Sequence, residues 1–436
     1  MMSYLFYLIF MIPLFKYNFW YLYQFLYMFF VFFFFFLEFN SYLGSISYLF
    51  GIDFFSYNLV ILSFYIISLM NLSSCNLLKM NSNFFSFLNY LIGFLLILIF
   101  SSLNMMIMYI SFELILIPLV ILITGWGYQS ERLSSGLYLF FYTLFGSLPL
   151  FLFILFFYNN FFTLSFIFSF HVNSGFIIHF IMIIPFLVKF PMFMFHFWLP
   201  KAHVQAPISG SMILAGLMLS IGGYGLIRFG SINDLLIMDY GYMWFSLGMV
   251  GSILVSMICF IQVDVSCLIA YSSVCHMGLC LMGLLTMTKL GVMGSLIMMV
   301  SHGLCSSALF CLANICYFRL NSRSLYLLKG MIYFMPMISL FWFMFSAFNM
   351  GCPPSINFMS EVLIFISSLY YFDLGWFFLV LSSFFSACFS FYIYSYSQHG
   401  CFMNFYSYCL IYVSEILLLV CHLFPLINLL FWFNMF

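Results

Sequence analysis

The sequence predicts an all-α polytopic membrane protein of about fourteen transmembrane helices, and three observations carry that prediction. Of 436 residues, 67% are hydrophobic and only 5% charged, where a soluble domain carries about 25% charged. Mean hydropathy is +1.21. Apolar runs of about 20 residues, the length that crosses a bilayer, recur along the whole chain. Formal net charge is zero, so no nucleic acid or acidic partner is expected.

Polar breaks place the spans at 3–15, 18–37, 52–72, 84–102, 104–124, 136–158, 175–198, 207–229, 242–262, 266–286, 291–317, 331–370, 374–395 and 408–434. The first is short for a full crossing. The twelfth is too long for one, and GCPPSIN at 351–357 interrupts it. Lys16, Lys79, Arg132, Lys201, Arg319, Arg323 and Lys329 fall in loops after odd-numbered spans, while Glu38, Asp234, Asp239 and Asp373 fall on the other side. The positive-inside rule then puts the odd loops in the cytoplasm or matrix and both termini outside. Lys289 and Arg228 depart from the pattern, and Arg228 is expected to snorkel at its helix end. The start, MMSYLFYLIF, lacks a basic region, a cleavage site and an Arg-rich presequence, so no removable leader is expected. The 67 Phe and 31 Tyr read as codon bias of a T-rich organellar genome rather than as aromatic function.

Two spans are broken by proline: the seventh by Pro185, Pro191 and Pro200, the twelfth by Pro353 and Pro354. Irregular backbone at membrane depth survives only where protein or water satisfies it. Broken helices at corresponding places in two halves point to a transport site built from inverted repeats. The expected organisation is three helices in 1–83, a first five-helix repeat in 84–230, an inverted second repeat in 231–400, and a last helix in 401–436.

Ionisable residues inside the spans are the candidate chemistry. Glu113 sits in SFELILIPLV, Lys189 in FLVKFPMF, His276 in YSSVCHMGLC, His302 in VSHGLCSS and Glu361 in NFMSEVLIF. A charge at a helix centre costs about 2.5–3.5 kcal/mol, so the three charged groups together cost roughly 7–10 kcal/mol. A structural ion pair between Glu113 and Lys189 is one explanation, though buried pairs are often not net stabilising. The histidines read singly as interhelical hydrogen-bonders. As a series over several spans, the five groups mark a proton relay. Burial and a nearby carboxylate push an amine's proton affinity in opposite directions, so a shift of the carboxylate could load or unload Lys189. No phosphate-binding loop, dinucleotide fingerprint, haem or Fe–S pattern supplies an energy source. The thirteen Cys show no metal-ligand spacing. Cys305, Cys311 and Cys316, along one apolar run, read as small buried hydrophobes.

Residues 111–150, SFELILIPLVILITGWGYQSERLSSGLYLFFYTLFGSLPL, resemble the subunit 4 family of NADH:ubiquinone oxidoreductase, respiratory complex I. So do KFPMFMFHFWLPKAHVQAPISGSMILAGLMLSIGGYGLIRF (189–229), LIAYSSVCHMG (268–278), SHGLCSSALFCLAN (301–314) and PPSINFMSE (353–361). The resemblance covers roughly 105–365, and outside it the first hundred and last seventy residues match only in hydropathy. It implies an antiporter-like membrane subunit of the inner mitochondrial membrane, for which the charge bias of the loops would put both termini on the intermembrane side. Glu113 stands at the family's span-5 glutamate, Lys189 at its span-7 lysine, Glu361 at the acidic group of the broken twelfth helix, and His276 and His302 at polar residues of the central axis. His196 lies in the span-7 motif, in contact with water or supporting the backbone. The family's second lysine, in span 8, is here Ser220, whose hydroxyl can hold a water chain but stores no proton. Gln205 and Ser266 also replace charges of many relatives. The resemblance implies partners among the other membrane-arm subunits, neighbouring antiporter-like subunits above all. Flavin, Fe–S clusters and ubiquinone are expected on other subunits and no cofactor in this chain, with bound phospholipid in apolar grooves between helices.

Three functions remain open at this point: proton translocation within that complex, a standalone cation/proton antiporter of the related family, and a structural spacer whose channel is degraded at Ser220.

Overall fold

The computed structural model of the chain describes residues 2–16, 20–36, 44–74, 81–168, 175–401 and 411–432. Glu38 and Lys79, two of the residues used to orient the chain, lie outside the described residues. Among the described residues the architecture is helical apart from loops and a short antiparallel hairpin, Gly44–Ser47 with Phe50–Ile52. Among the described residues, nine helices are long and apolar enough to cross a membrane, and shorter apolar helices accompany them.

The chain opens with α1 (Met2–Met11), α2 (Trp20–Phe35), α3 (Phe54–Ser73) and α4 (Ser82–Ser101). The span expected at 104–124 is two helices, α5 (Met105–Leu114) and α6 (Leu116–Trp126). Pro118 explains the break, because its ring has no N–H for the Leu114 carbonyl and crowds that oxygen. Next come α7 (Arg132–Phe161) and α8 (Phe176–Lys189). Phe190 N–H still reaches the Phe186 carbonyl at 2.7 Å, but Pro191 offers no donor and α8 stops. Beyond it, α9 (Trp198–Gln205) and α10 (Ile208–Ile213) lead through a π-helical turn, Leu214–Met218, into α11 (Leu219–Ile232).

The later helices are α12 (Asp234–Cys259), α13 (Val265–Leu285), α14 (Lys289–Leu320), α15 (Met331–Phe334), α16 (Pro336–Asn349), α17 (Ile356–Tyr371), α18 (Trp376–Gln398) and α19 (Val413–Trp432). The overlong twelfth span is therefore α16 and α17, parted at the proline pair. Gly351 adopts φ +73° in that break, a region that disfavours side chains with a Cβ. Ser355 then caps α17 by accepting from Phe358 N–H at 3.4 Å. Inside the helices, serine hydroxyls such as those of Ser63, Ser101 and Ser306 donate to carbonyls three or four residues back. That spends their polarity within one helix, as an apolar surrounding demands.

Two contact units emerge. The first comprises Met1–Phe190, Gln205–Ile213 and Leu217–Tyr240. Here α8 is gripped by glycines, as close helix packing in a membrane favours. A Cβ at Gly146 of α7 would stand 3.1 Å from Val188, and one at Gly222 of α11 would stand 2.8 Å from Phe190 N. One at Gly225 would enter the Phe186 ring. The second unit comprises Pro191–Val204, Leu214–Gly216 and Gly241–Phe436. In it α14 packs along both α13 and α17, and Arg319 of α14 grips Glu415 of α19 at 2.5 Å.

Candidate functional site

In the first unit the site is built on Lys189, the last residue of α8 and only 1% exposed. Its ammonium donates to the Phe112 carbonyl at 2.6 Å and stands 3.0 Å from the centroid of the Phe112 ring. A desolvated cation over an aromatic face gains about 2 kcal/mol or more. Glu113 follows Phe112 directly, so the lysine is anchored one residue from the carboxylate with which it was expected to pair. The two make no direct ion pair. Lys189, Ser147 and Tyr109 are polar neighbours of Glu113, and both carboxylate oxygens are buried without a protein hydrogen bond. Such groups are normally satisfied by water.

Ser220 of α11 is also buried, and its hydroxyl donates to the Leu217 carbonyl at 2.9 Å. Arg228, two turns further on, does not snorkel. It is 9% exposed and forms an ion pair with Asp53, the residue that caps α3. Its Nε donates to the Tyr224 hydroxyl at 2.7 Å, which in turn donates to the Phe100 carbonyl at 2.8 Å. The expectation of snorkelling fails because Asp53 offers a countercharge inside the protein, and a paired guanidinium has no need to reach water.

The second unit gathers His276 of α13, His302 of α14 and Glu361 of α17. His276 Nδ1 lies 3.8 Å from Glu361 Oε1, too far for a hydrogen bond. The His276 and His302 rings are 5.7 Å apart, centroid to centroid. His203 of α9 stacks on Phe310 at 4.6 Å. All three imidazoles are buried, and none of their ring nitrogens has a protein hydrogen-bond partner. Each neutral imidazole holds one donor and one acceptor, so this region has the polarity for ordered water between its ionisable groups. His196 is likewise buried with neither ring nitrogen hydrogen-bonded to protein, and it lies among Phe193, Phe197 and Tyr271, with ring centroids 4.6 to 5.9 Å away. Among the described residues, no group of three or more His, Cys, Asp or Glu could hold a metal ion.

Gly351 completes the second cluster. A Cβ there would stand 2.6 Å from Glu361 Oε2, so the helix break makes the room in which the carboxylate sits. Asp53, Phe112, His203 and Gly351 did not emerge as site residues from the sequence. Asp53 had a signal, an acidic residue directly before an apolar helical run; the other three act through contacts that only folding creates.

Residues 102–390 match the family model for the NADH:quinone oxidoreductase/Mrp antiporter transmembrane region, and residues 1–102 match the model for the amino terminus of NADH-ubiquinone oxidoreductase chain 4. The chain belongs to the NADH-ubiquinone oxidoreductase chain 4 family. NADH-ubiquinone oxidoreductase chain 4 of Ceratitis capitata is 48% identical over 390 residues, 88% of this chain and 87% of the relative. That of Locusta migratoria is 46% identical over 441 residues, 98% of this chain and 97% of the relative. A chain in respiratory complex I from Thermus thermophilus with bound NADH shares the fold, with a TM-score of 0.84 at 19% identity over 93% of this chain and 89% of that one. The expectation that the first hundred residues match only in hydropathy is corrected, because the amino-terminal model covers them. Reading by motif failed there for want of polar landmarks in a run of Phe, Leu and Tyr.

Proposed function

We propose that this chain translocates protons in the membrane arm of NADH:ubiquinone oxidoreductase, in the inner mitochondrial membrane with both termini on the intermembrane side. Electron transfer from NADH to ubiquinone takes place on other subunits, and this chain carries the proton relay without a redox centre of its own. Its neighbours are other membrane-arm subunits, antiporter-like ones among them, with phospholipid along its exposed apolar faces.

The observation that carries the reading is the set of buried ionisable groups left without protein hydrogen bonds: Glu113 in the first unit, His203, His276 and His302 in the second. Groups this costly to bury are explained by proton movement. Lys189 stores a proton near Glu113, and a change of charge at Glu113 tips its affinity. Ser220 lends a hydroxyl to water and stores nothing. In the second unit His302 and His276 exchange protons through water, each taking one on one ring nitrogen and releasing one from the other. Glu361 receives or supplies the proton beside His276.

The test is Lys189→Met in the intact complex reconstituted into proteoliposomes. We expect NADH oxidation to persist while the number of protons moved per electron falls. An unchanged ratio would remove Lys189 from the relay. A second reading, a scaffold with a degraded channel, is favoured by Ser220, whose hydroxyl is already committed to Leu217.

A further inference from the structure

The first half of the broken fifth span, α5, ends where Lys189 is held. A helix leaves the carbonyls of its last four residues without an intrahelical donor, and in α5 those residues are Ser111, Phe112, Glu113 and Leu114. The Ser111 and Glu113 carbonyls both accept from Ile115 N–H. The Leu114 carbonyl loses its donor at Pro118, which has no N–H. The Phe112 carbonyl takes the Lys189 ammonium at 2.6 Å. In an unbroken helix that oxygen would belong to the N–H of Leu116, four residues on. The break leaves it open to a side chain from another helix.

Two helix ends meet at this amine, because Lys189 is itself the last residue of α8. The C-terminal end of an α-helix carries about half a negative charge, so the buried ammonium lies against two such ends, those of α5 and α8. Discontinuous membrane helices build cation sites in this way, from half-helix ends and freed carbonyls. Here the cation is tethered to the chain. Neither carboxylate oxygen of Glu113 makes a protein hydrogen bond, so the backbone of α5, and not that carboxylate, fixes where the amine stands.

We propose that Pro118 is a positioning residue for Lys189: by parting α5 from α6 it frees the Phe112 carbonyl as the seat of the ammonium. The inference rests on the reading of Lys189 as a proton store for its purpose, while the seat itself can be tested without turnover. Pro118→Ala returns an N–H to position 118 and lets the ladder run from α5 into α6. Alanine is the best helix former, so the healed helix loses nothing in propensity.

The experiment compares the intact complex with and without Pro118→Ala, by electron cryomicroscopy and by proton counting in proteoliposomes. The map of the variant is expected to show the Phe112 carbonyl bonded to Leu116 N–H and Nζ displaced from it. The protons moved per electron are expected to fall, by no more than in Lys189→Met. A map with the break intact, or with Nζ still on Phe112, overturns the proposal. So does a displaced Nζ with an unchanged ratio where Lys189→Met lowers it. Leu119→Ala removes buried volume from the same stretch of α6 and restores no donor, so it is expected to reduce the yield of complex and leave the ratio alone. An equal fall from Leu119→Ala would make the effect one of packing and overturn the proposal as well. Should Pro118→Ala fail to assemble, Pro118→Val fills the buried site better, carries the same N–H and is read in the same way. An unchanged ratio in Lys189→Met would end the storage reading, and the map alone would then decide the seat.

Discussion

Gly351→Ala tests whether the place of the Glu361 carboxylate matters. The new methyl carbon would lie 2.6 Å from Oε2 and 3.1 Å from Cδ. Ordinary contact begins at 3.4 Å, so the oxygen must retreat by 3.4 − 2.6 = 0.8 Å. The colliding atoms are the far end of a flexible side chain, which moves readily. Stability then falls mainly through the φ of +73°, a left-handed conformation that costs an alanine about 1–2 kcal/mol. Function suffers more, because a misplacement of about 1 Å can cost on the order of 10²-fold in rate. The 3.8 Å gap between His276 and Glu361 is where that shift is felt. We expect the purified variant complex to assemble with modest loss and to oxidise NADH in proteoliposomes with fewer protons moved per electron. Gly351→Asn separates the two effects, since asparagine tolerates positive φ better but still carries the Cβ. It should recover assembly and not the proton ratio. A normal ratio in Gly351→Ala, or recovery of both by Asn, would refute the reasoning.

Gly225→Ala drives a methyl into the Phe186 ring, and overpacking of this kind costs about 1–3 kcal/mol. Phe186 packs edge-on against Phe112 at 5.8 Å, so the strain arrives beneath Lys189. Native gels should show less assembled complex, and normal abundance would mean that α8 and α11 are not held as tightly as the glycines indicate. Ser220→Lys adds a storage site where the family's second lysine stands; pumping measured per electron should change in extent or in its dependence on pH, whereas a scaffold would show no difference.

Much of the fold was legible because apolar length and proline placement decide it. Pro191 ended α8 and the Pro353–Pro354 pair divided the twelfth span, but Pro185 and Pro200, also expected to break the seventh span, lie inside the continuous helices α8 and α9. Pro118 was equally visible, yet its effect, the division of α5 from α6, was not expected. Glu113, Lys189, His276, His302 and Glu361 stood out because charge is rare in apolar runs. Their partners did not. The anchor of Lys189 is a backbone carbonyl, which every residue possesses and no sequence pattern marks. Arg228 seemed destined for water because its countercharge, Asp53, lies 175 residues earlier in the chain (228 − 53 = 175). Gly351 announced a turn, but its closeness to Glu361 depends on how α16 and α17 fold back.

The resting place of the Lys189 ammonium has a consequence for the direction of the proposed transfer. A peptide oxygen holds an ammonium firmly but is far too weak a base to take its proton. One of the three N–H bonds is spent on the Phe112 carbonyl, which leaves two for a water or a base on another side. On the proposed relay, the carbonyl fixes where the amine stands, and the two remaining N–H bonds set the way its proton can go.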